Sequence, residues 1–236
     1  MTVDARRDEI AANLAALEQR IVTACIASGR SREEITLVAV TKTFPASDVG
    51  HLAALGLRDV GENRADEADD KEDRCRAAGV TDLRWHFVGQ LQTNKAGVVA
   101  QWCHVVHSVD RPRLVTALDR ASERAGRRLR CLVQVDLSGD PGRGGALPGD
   151  VPGLADAVAA AEHLHLAGLM AVAPLGVDPD DAFRPLASLA TELRTAYPDA
   201  VIVSAGMSAD LEAAIARGAT HLRVGTALLG SRPPLG

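Results

Sequence analysis

Two rhythms of apolar residues alternate along the chain. Ile10, Leu14, Leu17 and Ile21 recur at steps of four, three and four within residues 4–28, which is one face of a helix ending near Gly29. The run Ile35-Thr-Leu-Val-Ala-Val-Thr41 that follows is short, apolar and β-branched, the pattern of a buried strand. Strand-like and helix-like segments then take turns to the end of the chain. Strands are predicted at 35–41, 57–61, 84–88, 104–109, 130–137, 166–172, 200–204 and 221–225, and helices near 46–56, 62–78, 91–101, 111–126, 150–163, 180–197 and 208–217. Strict alternation implies parallel strands, and eight repeats is the number that closes a barrel. A doubly wound open sheet usually carries a nucleotide loop after its first strand, and no GxGxxG stands there. The expected fold is α/β, one (β/α)8 TIM-type barrel over residues 1–236 with an extra N-terminal helix.

Two segments need a reading within that scheme. The Gly- and Pro-rich stretch from Ser138 to Gly149 follows the fifth strand and fits a long βα loop, so it does not divide the chain into two domains. The charged run from Asp66 to Arg74 reads as a solvated helix face, with Lys71 limited to pairs one helical turn away.

Charge and composition narrow the partners. With 31 acidic against 26 basic residues, a net charge of −5 and 3% aromatic residues, the chain lacks the basic stripe and stacking platforms expected of a nucleic-acid binder. No uninterrupted run of 18 apolar residues occurs and the N-terminus is charged, so neither a membrane span nor a secretory signal is expected. The four cysteines form no CxxC, which predicts reduced cytosolic thiols and no zinc site. The histidine pairs His104/His107 and His163/His165 lack the spacing and acidic company of a metal centre. Of the basic residues 23 are arginine and only three, Lys42, Lys71 and Lys95, are lysine. Lysine can shed its proton and act as a nucleophile, which arginine cannot.

Function in such a barrel gathers at the carboxyl ends of the strands, with phosphate often held after strands seven and eight. Strand one ends in Val40-Thr41-Lys42, and alternation puts Lys42 on the face of Val38 and Val40, toward the interior. Partial desolvation there would make its amine nucleophilic toward a carbonyl; the plainer alternative is a strand-end lysine in solvent. Strand seven runs into Ser204-Ala-Gly206-Met-Ser208 before a helix, and strand eight into Arg223-Val-Gly225-Thr226. Glycines and hydroxyls leading into a helix suit an anion, although a plain turn capped by Ser208 would read the same. Taken together, a nucleophilic lysine facing a phosphate cradle is what a phosphorylated aldehyde needs, and pyridoxal phosphate is the obvious candidate. Arg223, on the face of His221 and Gly225, would reach the pyridine nitrogen and discourage its protonation.

These segments are also recognisable. Leu37-Val-Ala-Val-Thr-Lys42, Gly61-Glu-Asn63, Trp85-His-Phe-Val-Gly-Gln-Leu-Gln-Thr-Asn-Lys95, His107-Ser-Val-Asp110, Gly168-Leu-Met170, Ser204-Ala-Gly-Met-Ser-Ala-Asp210 and Arg223-Val-Gly-Thr226 resemble, in order and spacing, the pyridoxal phosphate homeostasis proteins. The fold of that family is like the N-terminal barrel of alanine racemase. The resemblance implies that Lys42 is the Schiff-base lysine and that Ser204, Ser208, Gly225 and Thr226, with the backbone around Gly206, hold the phosphate. Arg223 would meet the ring nitrogen and Asn63 would lie beside the ring. It leaves His86, Gln90, Asn94 and Lys95 without a role. The chain departs from the family's pattern at Arg64, where an aromatic residue is common, and at Pro141-Gly-Arg143, where a lysine is usual.

The resemblance implies a cytoplasmic, monomeric carrier that binds pyridoxal 5'-phosphate reversibly and hands it to pyridoxal-phosphate-dependent apoenzymes, with no catalytic residues. The alternative is an amino-acid racemase or decarboxylase of the same barrel type. Such enzymes add a second domain that delivers a tyrosine or cysteine, and the chain's end at Gly236 favours the carrier.

Overall fold

In the computed structural model, which describes residues 3–140 and 142–230, eight strands alternate with helices and close on themselves. Pro141 and residues 231–236, and with them Arg232 at the end of the recognised pattern, lie outside the described residues. The strands are β1 (Thr36–Val40), β2 (Asp59–Glu62), β3 (Arg84–Phe87), β4 (Val105–Val109), β5 (Leu129–Gln134), β6 (Leu164–Met170), β7 (Ile202–Ser204) and β8 (His221–Val224). Every neighbouring pair is parallel, and the barrel closes where β8 pairs with β1, Leu37 opposite Leu222 and Ala39 opposite Val224. The helices are α1 (Val3–Ala27), α2 (Ala46–Ala54), α3 (Ala65–Ala77), α4 (Ala96–Trp102), α5 (Pro112–Ala125), α6 (Val151–Ala160), α7 (Pro179–Ala196), α8 (Leu211–Ala216) and α9 (Thr226–Leu229).

The expected alternation holds, with shifts at particular ends. β6 starts at Leu164, earlier than expected, because His163-Leu-His-Leu166 alternates polar and apolar instead of forming an unbroken apolar run. The helix expected from residue 91 begins with a separate 3-10 turn, Thr93–Lys95, before α4. The single turn α9 was not expected.

Helix α1 bears on the expectation about membranes. Ala5–Ala27 is long and apolar enough to cross a bilayer, with a mean hydropathy of 1.3, although no 18-residue run is free of polar residues. In the fold its face of Ile10, Leu17 and Ile21 is buried, and it packs on α8, α9 and α2. Arg6 binds Asp48 (2.7 Å) and the Leu229 carbonyl (2.9 Å), and Asn13 donates to the Leu228 carbonyl (3.1 Å), so the helix clasps the first and last elements of the barrel.

The two faces of the sheet differ in kind. Outward-facing residues and the helices share one continuous apolar cluster that includes Leu52, Phe87, Leu118, Leu164 and Phe183. Inside, a small apolar cluster of Val105, Leu132, Ala167, Met170 and Ile202 fills one sector. The rest of the buried polar complement includes His86, His107, Ser204 and Arg223.

Candidate functional site

The end of β1 is held from behind. Thr41, fully buried and facing outward, donates through Oγ1 to Glu62 Oε1 (2.6 Å), and Lys71 Nζ donates to the same oxygen (2.5 Å) and to the Thr41 carbonyl (2.7 Å). Lys71 is therefore no member of a solvated face. The charge run conceals it because α3 turns Lys71 inward with Ala65, Ala68 and Cys75, over β1 and β2. Burial pushes the Glu62 carboxyl up, while the charge and hydrogen bond of Lys71 work the other way. The result is a braced peptide immediately before Lys42.

Lys42 itself is half-buried and follows the inward series of Val38 and Val40, which both lie close to Gly61. The next residue, Thr43, has φ of 70°. A β-branched residue in the left-handed region is strained, at a cost of about 1–3 kcal/mol. The turn that carries Lys42 is thus tightly constrained on both sides.

Two glycine turns meet this strand end. Gly206 has φ of +91°, and a Cβ there would come within 2.7 Å of the Ala214 Cβ, so the turn between β7 and α8 admits no side chain. Gly225 lies directly against β1: an added Cβ would stand 3.1 Å from the Val40 carbonyl oxygen. Ser208 Oγ accepts from the Ala227 backbone N–H at 3.2 Å, which joins the two turns into a single rim. Ser208 is half-buried and Thr226 is exposed.

Ser204 differs from its expected place. Its hydroxyl lies inside the barrel, accepting from Arg223 Nη1 at 2.6 Å and within 2.9 Å of His107 Nδ1, and so it is committed to the interior and not to the rim. Arg223 also donates from Nη2 to the Ala171 carbonyl at 2.9 Å. These bonds use two of five guanidinium N–H groups. Burial lowers the Arg223 pKa to about 10, which leaves it cationic at neutral pH.

Asn63 is half-buried just beyond β2 and lines a pocket of about 360 Å³ with Arg64, Gln90 and Lys95. Lys95 pairs with Asp66 at 2.7 Å, whereas Gln90 and Asn94 are exposed. His86 belongs elsewhere: it is buried within the barrel, 2.8 Å from His107 Nε2 and 2.9 Å from Asp59 Oδ1. Sequence reasoning missed Asp59, His107 and Lys71. The available signal was the coincidence of His86, His107, His221 and Arg223 at inward positions of their strands.

A half-buried lysine, two anion-suited turns and an interior arginine on an eight-stranded barrel define a class of protein. The chain matches the alanine racemase N-terminal domain family over residues 7–233, and it belongs to that family. The alanine racemase of Corynebacterium glutamicum shares the fold at 19% identity, with a TM-score of 0.71 over 98% of this chain and 62% of that one. Within the class, the pyridoxal phosphate homeostasis protein of Mycobacterium tuberculosis is 47% identical over 96% of this chain and 94% of its own length. The solved structure of PipY from Synechococcus elongatus with PLP bound is 33% identical, with a TM-score of 0.79 over 94% of this chain and 100% of PipY. The chain is thus a member of the pyridoxal phosphate homeostasis protein family.

Proposed function

We propose that this protein binds pyridoxal 5'-phosphate as a Schiff base on Lys42 and serves the intracellular homeostasis of that cofactor without catalysing a reaction of its own. The observation that carries the reading is the packing of Gly225 against Val40, which sets the Gly225–Thr226 turn beside the strand end that bears Lys42. The residues present fit the cofactor's chemistry. Lys42 supplies the amine, and Gly206, Ser208, Gly225 and Thr226 supply the rim for the phosphate. Arg223 supplies a permanent cation that can only donate to the ring nitrogen. Ser204 holds Arg223, and Asn63 stands at the mouth beside the ring. The names of the relatives and the PLP in PipY support the same cofactor.

When bound, the cofactor supplies an electrophilic carbonyl and an electron-withdrawing ring. Arg223 opposes ring protonation and so weakens that withdrawal. A racemase also needs positioned acid–base groups on both faces of the substrate. Among the described residues the one tyrosine, Tyr197, ends α7 and bonds to Asp156 (2.5 Å), and all four cysteines are buried. Both facts support a carrier over an amino-acid racemase or decarboxylase. Recipients in this reading are pyridoxal-phosphate-dependent apoenzymes, reached by a cytoplasmic monomer with no call on nucleic acid or membrane.

The test begins with the purified protein and the added cofactor. Borohydride reduction followed by peptide mapping should place the adduct on Lys42, and Lys42→Ala and Lys42→Arg should both lose it. An adduct at full stoichiometry in either variant overturns the assignment. Deuterium exchange at Cα of alanine should run no faster than with free cofactor; exchange at enzymatic turnover rates would establish the racemase reading instead.

A further inference from the structure

Arg223 does not stand alone in the barrel. From its Nη1 a continuous line of hydrogen bonds crosses the interior: Ser204 Oγ at 2.6 Å, His107 Nδ1 at 2.9 Å, His86 Nδ1 with His107 Nε2 at 2.8 Å, and Asp59 Oδ1 with His86 Nε2 at 2.9 Å. Asp59, the first residue of β2, is gripped in turn by Arg84 through Nε (2.8 Å) and Nη2 (2.6 Å), and Arg84 reaches solvent. Ser204, His86 and His107 are all essentially inaccessible.

The direction of every link follows from the chemistry of the ends. An arginine can only donate, and a carboxylate can only accept. Burial alone would raise the Asp59 carboxyl, but hydrogen bonds from His86 and Arg84 outweigh it and hold it at about 2, so it is ionised. Desolvation lowers both imidazoles, and for His107 the positive charge of Arg223 adds to it. Neutral His86 then gives its Nε2–H to Asp59 and offers Nδ1 as an acceptor. His107 must fill that acceptor with its own Nε2–H, which leaves its Nδ1 to accept the Ser204 hydroxyl. Ser204, having given its proton, accepts from Arg223. All the bonds run one way, from arginine to carboxylate.

We propose that Asp59, His86, His107 and Ser204 are positioning residues for Arg223, forming a one-way donor chain that ties the guanidinium at the carboxyl ends of the strands to a carboxylate at their amino ends. The chain fixes which N–H groups of Arg223 remain for a ligand and where they point. It does so without setting a carboxylate beside the ring nitrogen, where one would invite protonation. That Arg223 faces a ring nitrogen rests on the cofactor reading above; the donor chain itself does not.

The experiment separates the two. In cofactor-free protein labelled with 15N-histidine, NMR at neutral pH should show His86 and His107 both neutral and both protonated on Nε2. Either residue found cationic, or protonated on Nδ1, overturns the chain whatever the cofactor does. His107→Gln keeps an acceptor and a donor in sequence, whereas His107→Phe keeps neither. Titration with pyridoxal 5'-phosphate should show His107→Phe about tenfold weaker, the loss expected for a hydrogen bond to a charged group, with a displaced absorbance band. His107→Gln should stay within about threefold of the parent on the same grounds. If His107→Gln fails as badly as a folded His107→Phe, or if a folded His107→Phe binds and absorbs like the parent, the positioning role is wrong. Should His107→Phe not fold, the NMR tautomers and the His107→Gln titration still decide. A parent protein with no lysine-linked absorbance would sink the cofactor reading while leaving the tautomer result standing.

Discussion

The outer and inner faces of this one sheet obey opposite rules. Outside, strands and helices meet through a continuous apolar layer, interrupted behind β1 by the Glu62–Lys71 pair. Inside, a small apolar cluster and the valines of β1 share the space with a hydrogen-bonded file of charged and neutral polar groups. The comparison teaches where each kind of residue does its work. Burial of apolar surface in the outer layer holds the barrel together, which frees the inner face to keep polar groups that cost stability unless fully paired. Two of the three lysines make the same point: Lys71 braces β1 from outside, and Lys42 stands half-buried just beyond the strand's carboxyl end.

The contrast can be broken by experiment, and the largest effect is expected at its exception. Lys71→Met strands Glu62 in the apolar layer and should cost about 3–5 kcal/mol; adding Glu62→Gln should recover much of that. Urea unfolding of the single and double variants measures both, and a single-variant loss below about 1 kcal/mol, the worth of an exposed pair, would mean that the brace is idle. Leu164→Ala, purely apolar and in the same layer, should cost about 2–5 kcal/mol while leaving cofactor affinity unchanged. A parallel loss of affinity would show that the two faces are not independent.

Acid should act through the inner face. Burial lowers His221 to about 4 from an ordinary 6.5. The fold thus favours its neutral form, so this contribution is complete above about pH 6.5 and is lost as pH falls toward 4. That shift corresponds to about 3 kcal/mol. Asp59, held at about 2 against 3.8, adds a further loss only below pH 3.8. Stability measured from pH 7 to 4 should therefore decline, and His221→Leu should flatten the decline; an unchanged slope would remove His221 from the account.

The smallest expected effect separates rim from interior. Thr226→Val should weaken pyridoxal 5'-phosphate binding by about 1.5–3 kcal/mol and leave phosphate-free pyridoxal nearly unaffected. Ser204→Ala should weaken both ligands alike, because it acts through Arg223. If Ser204→Ala discriminates between the ligands as Thr226→Val does, its hydroxyl reads the phosphate after all.

Much of this was legible beforehand at particular residues. Ile35 to Thr41 announced a buried strand by its β-branched run, Lys42 stood at its end, and Gly206 and Gly225 marked turns by residue type alone. The recognised blocks around Trp85 and Ser204 pointed to the cofactor. What misled was local context: Lys71 sat among seven charged neighbours from Asp66 to Arg74 and read as one of them. Ser204 was rightly placed at the end of its strand but was given the phosphate along with the turn that follows, whereas its hydroxyl turns inward to Arg223 and His107.

The amino-acid sequence by itself determined the order and kind of the elements and the residues that share a face, because helical and strand periodicities are local properties of the chain. Only the tertiary structure decided which partners those faces meet. Closure of β8 on β1 brings Gly225 against Val40, and α3 lays Lys71 over Thr41. Five strands bring Asp59, His86, His107, Ser204 and Arg223 into one file. A period of two says that alternate residues lie together, but not what stands opposite, and hydrogen bonds between remote strands depend on distances that no local pattern records.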